Sequence, residues 1–229
     1  MAPFRLILMP GMDGTGELFG PLLAFVPELY EPLVIQYPRE ELLGYDALIN
    51  VVEAQIGATE QVVLLAESFS GPLAIRFAAM HPEQVRAIVL CASFVRFPMP
   101  WIVPIVVRRT ARIRPMGWLL RAMLAGSTAS TSLIQSIRSA IGSVASDVLA
   151  YRLREIARVD ARQECALIHQ PMLYLEATRD RLVRPSRRRE IAQRCPQLLL
   201  KQIDAPHMLL QAEPGKAWRT ISAFLAQLD

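Results

Sequence analysis

Six short apolar runs divide the chain, and between most of them apolar residues return at helical spacing. Residues 5–9 (RLILM) run into Pro10 and Gly11, which predicts a buried strand ending in a loop. Residues 33–37 (LVIQY), 62–66 (VVLLA), 86–92 (RAIVLCA), 172–177 (MLYLEA) and 198–203 (LLLKQI) predict five further strands. Helices are predicted over residues 46–56 and 70–80, and around Glu190. Pro214 suits the first position of a last helix, on which Ala217, Trp218, Ile221, Phe224, Leu225 and Leu228 share one face. Strands alternating with helices imply βαβ units and a parallel sheet.

One stretch breaks the alternation. Residues 94–166 contain no convincing strand. They begin apolar and Pro-rich, then carry helical patterns over about residues 118–125, 132–141 and 148–158. An all-helical insertion between two strands of a parallel sheet is expected to cap the carboxyl ends of the strands, where such sheets bind ligands. The expected organisation is a core of residues 1–93 and 167–229 with a helical cap of residues 94–166.

Composition narrows the class. Of 229 residues, 52% are hydrophobic and 20% charged, enough for a sizeable core and too apolar for wholesale disorder. The uncharged apolar stretch 97–107 is too short to span a bilayer and holds Pro98, Pro100 and Pro104. The first residues do not read as a secretory signal. Cys91, Cys165 and Cys195 give neither a disulfide framework nor metal-ligand spacing, so a reduced, cytoplasmic protein is expected. The net charge of +4 is unevenly spread. Residues 94–165 hold eleven Arg against Asp147, Glu155, Asp160 and Glu164, which is +7 there and −3 elsewhere. Without Lys blocks, Gly-Arg repeats or zinc-finger spacing, no nucleic-acid partner is expected. A basic entrance would instead suit acyl-carrier protein, acyl-CoA or an anionic membrane surface; solvated helix faces with Arg paired to Glu155, Asp160 and Glu164 are the plainer reading.

The sharpest chemical signal is Ala66-Glu67-Ser68-Phe69-Ser70-Gly71, between a predicted strand and a predicted helix. At a tight strand–helix elbow the central residue projects its side chain above the sheet, and its neighbours two away must be small. Ala66 and Ser70 are small, and Gly71 adds a close-approach position. An ordinary βα turn with an N-cap Ser is the alternative. After the first strand comes Pro10-Gly11-Met12-Asp13-Gly14-Thr15-Gly16. It lacks the third Gly of a dinucleotide loop, since Phe19 stands there, and no Gly-Lys-Ser/Thr follows, which disfavours a phosphate loop. It suits an oxyanion hole, with the Met12 and Phe69 N–H groups as donors. Asp180 follows the fifth strand and His207 follows the sixth. His81 and His169 follow no strand. The order Ser68, Asp180, His207 therefore places a nucleophile, an orienting carboxylate and a base at converging strand ends.

On these residues the chain resembles the α/β-hydrolase superfamily over nearly its whole length. Pro10–Gly16 and Glu67-Ser68-Phe69 are similar to the phytyl ester synthase and acyltransferase branch, and Pro206-His207-Met208-Leu209-Leu210 to small bacterial carboxylesterases. Departures are Pro10 where many members have His, and Ala66 and Ser70 in place of Gly. The resemblance implies a six-stranded, mostly parallel sheet in the spatial order second, first, third, fourth, fifth, sixth, with the cap before the Asp-bearing strand. It also implies a serine hydrolase of carboxylic esters or thioesters that needs no metal or organic cofactor. An acyltransferase using the same triad, or a non-catalytic binding member, are the alternatives. Phe97, Met99, Trp101, Ile102 and Val103 are expected either to line an acyl site, with Trp101 as a substrate contact, or to pack the cap onto the core.

Overall fold

The computed structural model describes residues 4–57, 61–97, 121–184 and 186–228. Its centre is one parallel sheet of six strands: β1 (Arg5–Met9), β2 (Leu33–Val34), β3 (Val62–Glu67), β4 (Val85–Cys91), β5 (Met172–Ala177) and β6 (Leu198–Ile203). The spatial order is β2-β1-β3-β4-β5-β6, as the resemblance implies. Alternate side chains leave opposite faces of a strand. Ile7, Met9, Leu64, Ala66, Ile88, Leu90, Met172 and Tyr174 join one apolar core, and Leu6, Leu8, Val63, Leu65, Val89, Leu173 and Leu175 join the other. A sheet buried on both faces needs helices on both. α1 (Gly20–Leu23), α8 (Leu209–Ala212) and α9 (Pro214–Leu225) close the second face, and α2 (Tyr45–Ile56) and α3 (Ser70–Met80) close the first. The apolar spacing explains why: α2 buries Tyr45, Leu48, Ile49, Val52 and Ile56, while α9 buries Ala217, Trp218, Ile221, Phe224 and Leu225 behind Pro214.

The second strand is shorter than the apolar pattern predicts. It spans Leu33–Val34 rather than residues 33–37. β1 ends at Met9 before Pro10, so the ladder loses its partner there. Ile35 N–H still reaches Leu8 C=O (2.9 Å), but Tyr37 N–H donates to Gly14 C=O (2.8 Å) in the Gly-rich loop.

Between β4 and β5 the regular elements of the described residues are helical, with one isolated antiparallel bridge between Arg96 and Asp160. A π-helical turn covers Arg121–Ala125, followed by α4 (Thr131–Gly142), α5 (Ser146–Arg158) and α6 (Arg162–Cys165). Ser130 caps α4 by accepting from Leu133 N–H (3.1 Å). Met99, Trp101, Ile102, Val103, Arg108, Arg109, Arg112 and Arg114 lie outside the described residues. The short α7 (Ser186–Ala192) joins β5 to β6. Cys195 beyond it donates to Cys165 C=O (2.9 Å), and the two thiols touch at 3.0 Å, which fastens the end of the insertion to the core. Among the described residues no helix is long and apolar enough to cross a membrane.

The start of α3 crosses the end of β4 very closely. A Cβ on Gly71 would lie 1.8 Å from Ser93 Oγ and 2.8 Å from Ser93 Cβ. Gly71→Ala is therefore expected to destabilise the protein by about 3 kcal/mol in urea unfolding. Adding Ser93→Gly should recover part of that loss. A double variant no more stable than Gly71→Ala would show that the crossing is not limited by this contact.

Candidate active site

β3 leads straight into Ser68, whose backbone has φ 49°. A non-Gly residue in this left-handed region costs of order 1–3 kcal/mol and persists only where its surroundings hold it. Here Ser68 N–H donates to Cys91 C=O (2.9 Å), and Ser68 C=O accepts from Ser93 Oγ (2.6 Å) and Gly71 N–H (3.2 Å). Phe69 is clamped in turn, its ring stacked on Tyr45 at 4.8 Å and its C=O accepting from the Tyr45 hydroxyl (3.0 Å). Ser70, the other hydroxyl of the motif, is fully buried. It donates to Pro10 C=O and so accepts from the Tyr37 hydroxyl at 2.6 Å.

The structure brings Ser68, Asp180 and His207 together. Asp180 follows β5, and its Oδ1 accepts from Leu182 N–H (2.7 Å) and Val183 N–H (2.9 Å). Its Oδ2 lies 2.7 Å from His207 Nδ1. A carboxylate can only accept, so Nδ1 carries the proton and Nε2 is left to accept from Ser68 Oγ, 2.9 Å away. Asp204, the other carboxylate near His207 in sequence, faces outward and pairs with Arg179 at 2.8 Å. His81 pairs with Glu53 at 2.7 Å, well apart from this group.

Ser68 and His207 open onto a cavity of about 210 Å³. Phe97, Ile137, Ile141, Leu153, Ile156 and Leu182 supply much of its apolar wall, and four of these six come from the helices between β4 and β5. Met12 lines the same cavity. Two larger pockets, of about 420 and 380 Å³, contain neither Ser68 nor His207.

Two acids share the cavity wall. Asp13 Oδ2 accepts from Thr15 N–H (3.0 Å) and Thr15 Oγ1 (2.6 Å). Glu67 Oε2 accepts from Gln211 Nε2 (3.2 Å). Burial pushes the Glu67 carboxyl up to about 7; Asp13 adds to the rise and His207 opposes it.

The sequence pattern assigned no role to Arg152, on α5. Its side chain is 1% exposed, and it donates to the carbonyls of Met12 (2.9 Å), Asp13 (2.8 Å) and Pro38 (2.8 Å). Its guanidinium carbon lies 5.7 Å from the centre of the Tyr37 ring. A signal for it did exist: Arg152 stands between Val148 and Ile156, at four-residue steps along the buried face of α5. Other arginines of the basic segment pair off, Arg158 with Glu155 at 3.8 Å and Arg162 with Asp160 at 2.6 Å, while Glu164 takes Arg76 from the core at 3.3 Å.

A sequence profile described as serine aminopeptidase, S33, matches residues 43–210. The chain belongs to this α/β-hydrolase family. Within curated proteins it is 29% identical over 217 residues to the pimeloyl-[acyl-carrier protein] methyl ester esterase of Xanthomonas campestris, covering 87% of this chain and 85% of that one. Among solved structures, the enol-lactonase of Burkholderia xenovorans superposes with a TM-score of 0.82 at 18% identity, over 97% of this chain and 91% of that one. An esterase of Thermogutta terrifontis gives 0.82 at 19% identity, over 98% and 90%. These two likenesses speak for the shared fold.

Glu67 makes a pH-dependent contribution to stability. Its carboxyl titrates near 4.5 when unfolded and near 7 when folded. Between those values the folded state binds the extra proton, so this contribution is full below pH 4.5 and falls, by about 3 kcal/mol, as the pH rises through 7. Glu67→Gln is expected to lose that slope, so its melting temperature should gain on the wild type between pH 5 and pH 8. A constant difference between the two across that range would refute the assignment.

Proposed function

We propose that this ester-cleaving hydrolase works through an acyl-enzyme on Ser68, with His207 as its base, Asp180 orienting His207, and residues 94–166 as the cap of the site. One observation carries the reading: the His207 ring bridges Ser68 Oγ at 2.9 Å and Asp180 Oδ2 at 2.7 Å beside an apolar cavity. Ser68 Oγ attacks the ester carbonyl carbon while His207 Nε2 takes its proton. The carbonyl π pair moves onto oxygen, and the Met12 and Phe69 N–H groups receive that charge. Asp180 holds the Nδ1 proton in place and stabilises the imidazolium. The tetrahedral carbon then expels the alcohol, or the thiol of a thioester, which leaves with the proton from Nε2. Water repeats the sequence on the acyl-enzyme and frees the acid.

The apolar wall around Ser68 suits an apolar acyl group, and the esterase similar to this chain acts on a carrier-linked methyl ester by its name. We take a carrier-linked acyl ester as the substrate class, with the basic insertion meeting the acidic carrier. A panel of aryl esters and acyl thioesters of graded length tests the chemistry. The same acyl group offered as a neutral ester and on acyl-carrier protein, at low and high salt, tests the carrier. Salt should slow only the carrier-bound substrate; parallel behaviour would remove the carrier from the reading.

A fluorophosphonate is expected to label Ser68. Ser68→Ala should abolish labelling and lower kcat about a millionfold. Asp180→Asn should keep the fold and lower kcat about 10⁴-fold through the wrong His207 tautomer. Labelling of Ser70, or a nearly active Asp180→Asn, would overturn these roles.

A further inference from the structure

The Met12 N–H belongs to a residue whose carbonyl is held by the buried Arg152. Met12 N–H and Gly11 C=O belong to a single planar peptide unit, so whatever orients one orients the other. Gly11 C=O accepts from Gly14 N–H at 3.0 Å. On the other side of Met12, the Nη1 of Arg152 takes two successive carbonyls, those of Met12 and Asp13, at 2.9 and 2.8 Å. Its Nη2 reaches the Pro38 carbonyl at 2.8 Å, beside Tyr37, whose own N–H is bonded to Gly14 C=O. Gly14 makes room for this: a Cβ there would lie 2.6 Å from Arg152 Nη1 and 2.8 Å from the Tyr37 ring, and its φ of +70° suits glycine. The loop is thus bonded on both sides of the Met12 N–H, and the outer bonds come from α5, in the insertion.

The three hydrogen bonds of Arg152 all end on carbonyl oxygens. A guanidinium brought out of water is costly, and a well-packed apolar side chain commonly stabilises such a place as well or better. What an apolar side chain lacks is the fixed fork of donors that holds several acceptors in one geometry.

We propose that Arg152 is a positioning residue of the ester-cleaving centre: it holds the loop of residues 10–16 so that the Met12 N–H stays directed at the developing oxyanion, and thereby makes turnover depend on the insertion. This rests on the reading of Met12 as an oxyanion donor. Arg152 touches no reacting atom. It acts through the loop, so its loss affects the transition state more than substrate binding.

The test compares the intact wild type with Arg152→Met and Arg152→Lys, and with Ile221→Ala on the opposite face of the sheet as a control for lost stability. Two readouts are taken: amide hydrogen exchange of peptides covering residues 10–16, and steady-state kinetics on a short aryl ester well below each melting temperature. In Arg152→Met, the loop amides should exchange at least about tenfold faster while those of α9 keep their protection. kcat should fall about a hundredfold, the size of a lost oxyanion donor, with KM within about threefold. Arg152→Lys keeps the charge without the fork and should lose about tenfold in kcat; it carries the test should Arg152→Met fail to fold. Ile221→Ala should keep its kcat. Loop protection equal to wild type in either Arg152 variant, or a loosened loop with unchanged kcat, overturns the proposal. Wild type inert towards every ester would count against the reading of the site, while the exchange measurement would still decide whether Arg152 holds the loop.

Discussion

The close crossing of α3 over the carboxyl end of the sheet is the constraint on which the rest of the site depends. It forces Ser68 to φ 49°, places Gly71 where no Cβ fits beside Ser93, and ties the Ser68 carbonyl to the Ser93 hydroxyl. Backbone held that tightly cannot relax away from the strained conformation, so the Ser68 hydroxyl stays within reach of His207. Everything else that meets it arrives from a strand end. β1 delivers the Gly-rich loop, β5 delivers Asp180 and β6 delivers His207. Parallel register aligns these ends, with Met9 beside Ala66 and Glu67 beside Cys91.

Much of this could be read from the chain because the physics is local. Strands buried on both faces are continuous apolar runs, and β1, β3, β4 and β5 lie within a residue or so of where those runs stand; β6, at the sheet edge and half exposed, falls on its run as well. The amphipathic faces of α2 and α9 were equally plain. β2 was overextended because LVIQY is apolar enough for five strand residues, while its length is decided by a neighbour that stops at Met9. The grouping of Ser68, Asp180 and His207 was readable from their order after strands. Asp204, nearer His207 in sequence, is turned outward to Arg179 instead.

Arg152 shows a different limit. Charge counting put it in a basic segment with ten other arginines, and most charge on helices is solvated. Its true place is set by carbonyls 114 to 140 residues away in sequence. The same counting treated the segment as one field, yet Arg158 and Arg162 are paired locally and Arg152 is spent inside the protein. The motif gives Glu67 no chemistry of its own, because its raised protonation arises from burial, with Asp13, distant in sequence, adding to it.

The bonds from α5 to the loop after β1 bear on how such a protein can change its helical insertion. A helical insertion between two strands looks like a module that recombination or a designer could exchange at will. Here the exchange would carry a hidden condition. A foreign insertion without a long cationic side chain at the position of Arg152 would leave one buried and two part-buried carbonyls without these donors and an empty space behind Gly14. The graft would have to bring a matching loop with it. Insertion and loop therefore form one heritable unit, although some 140 residues of chain separate them.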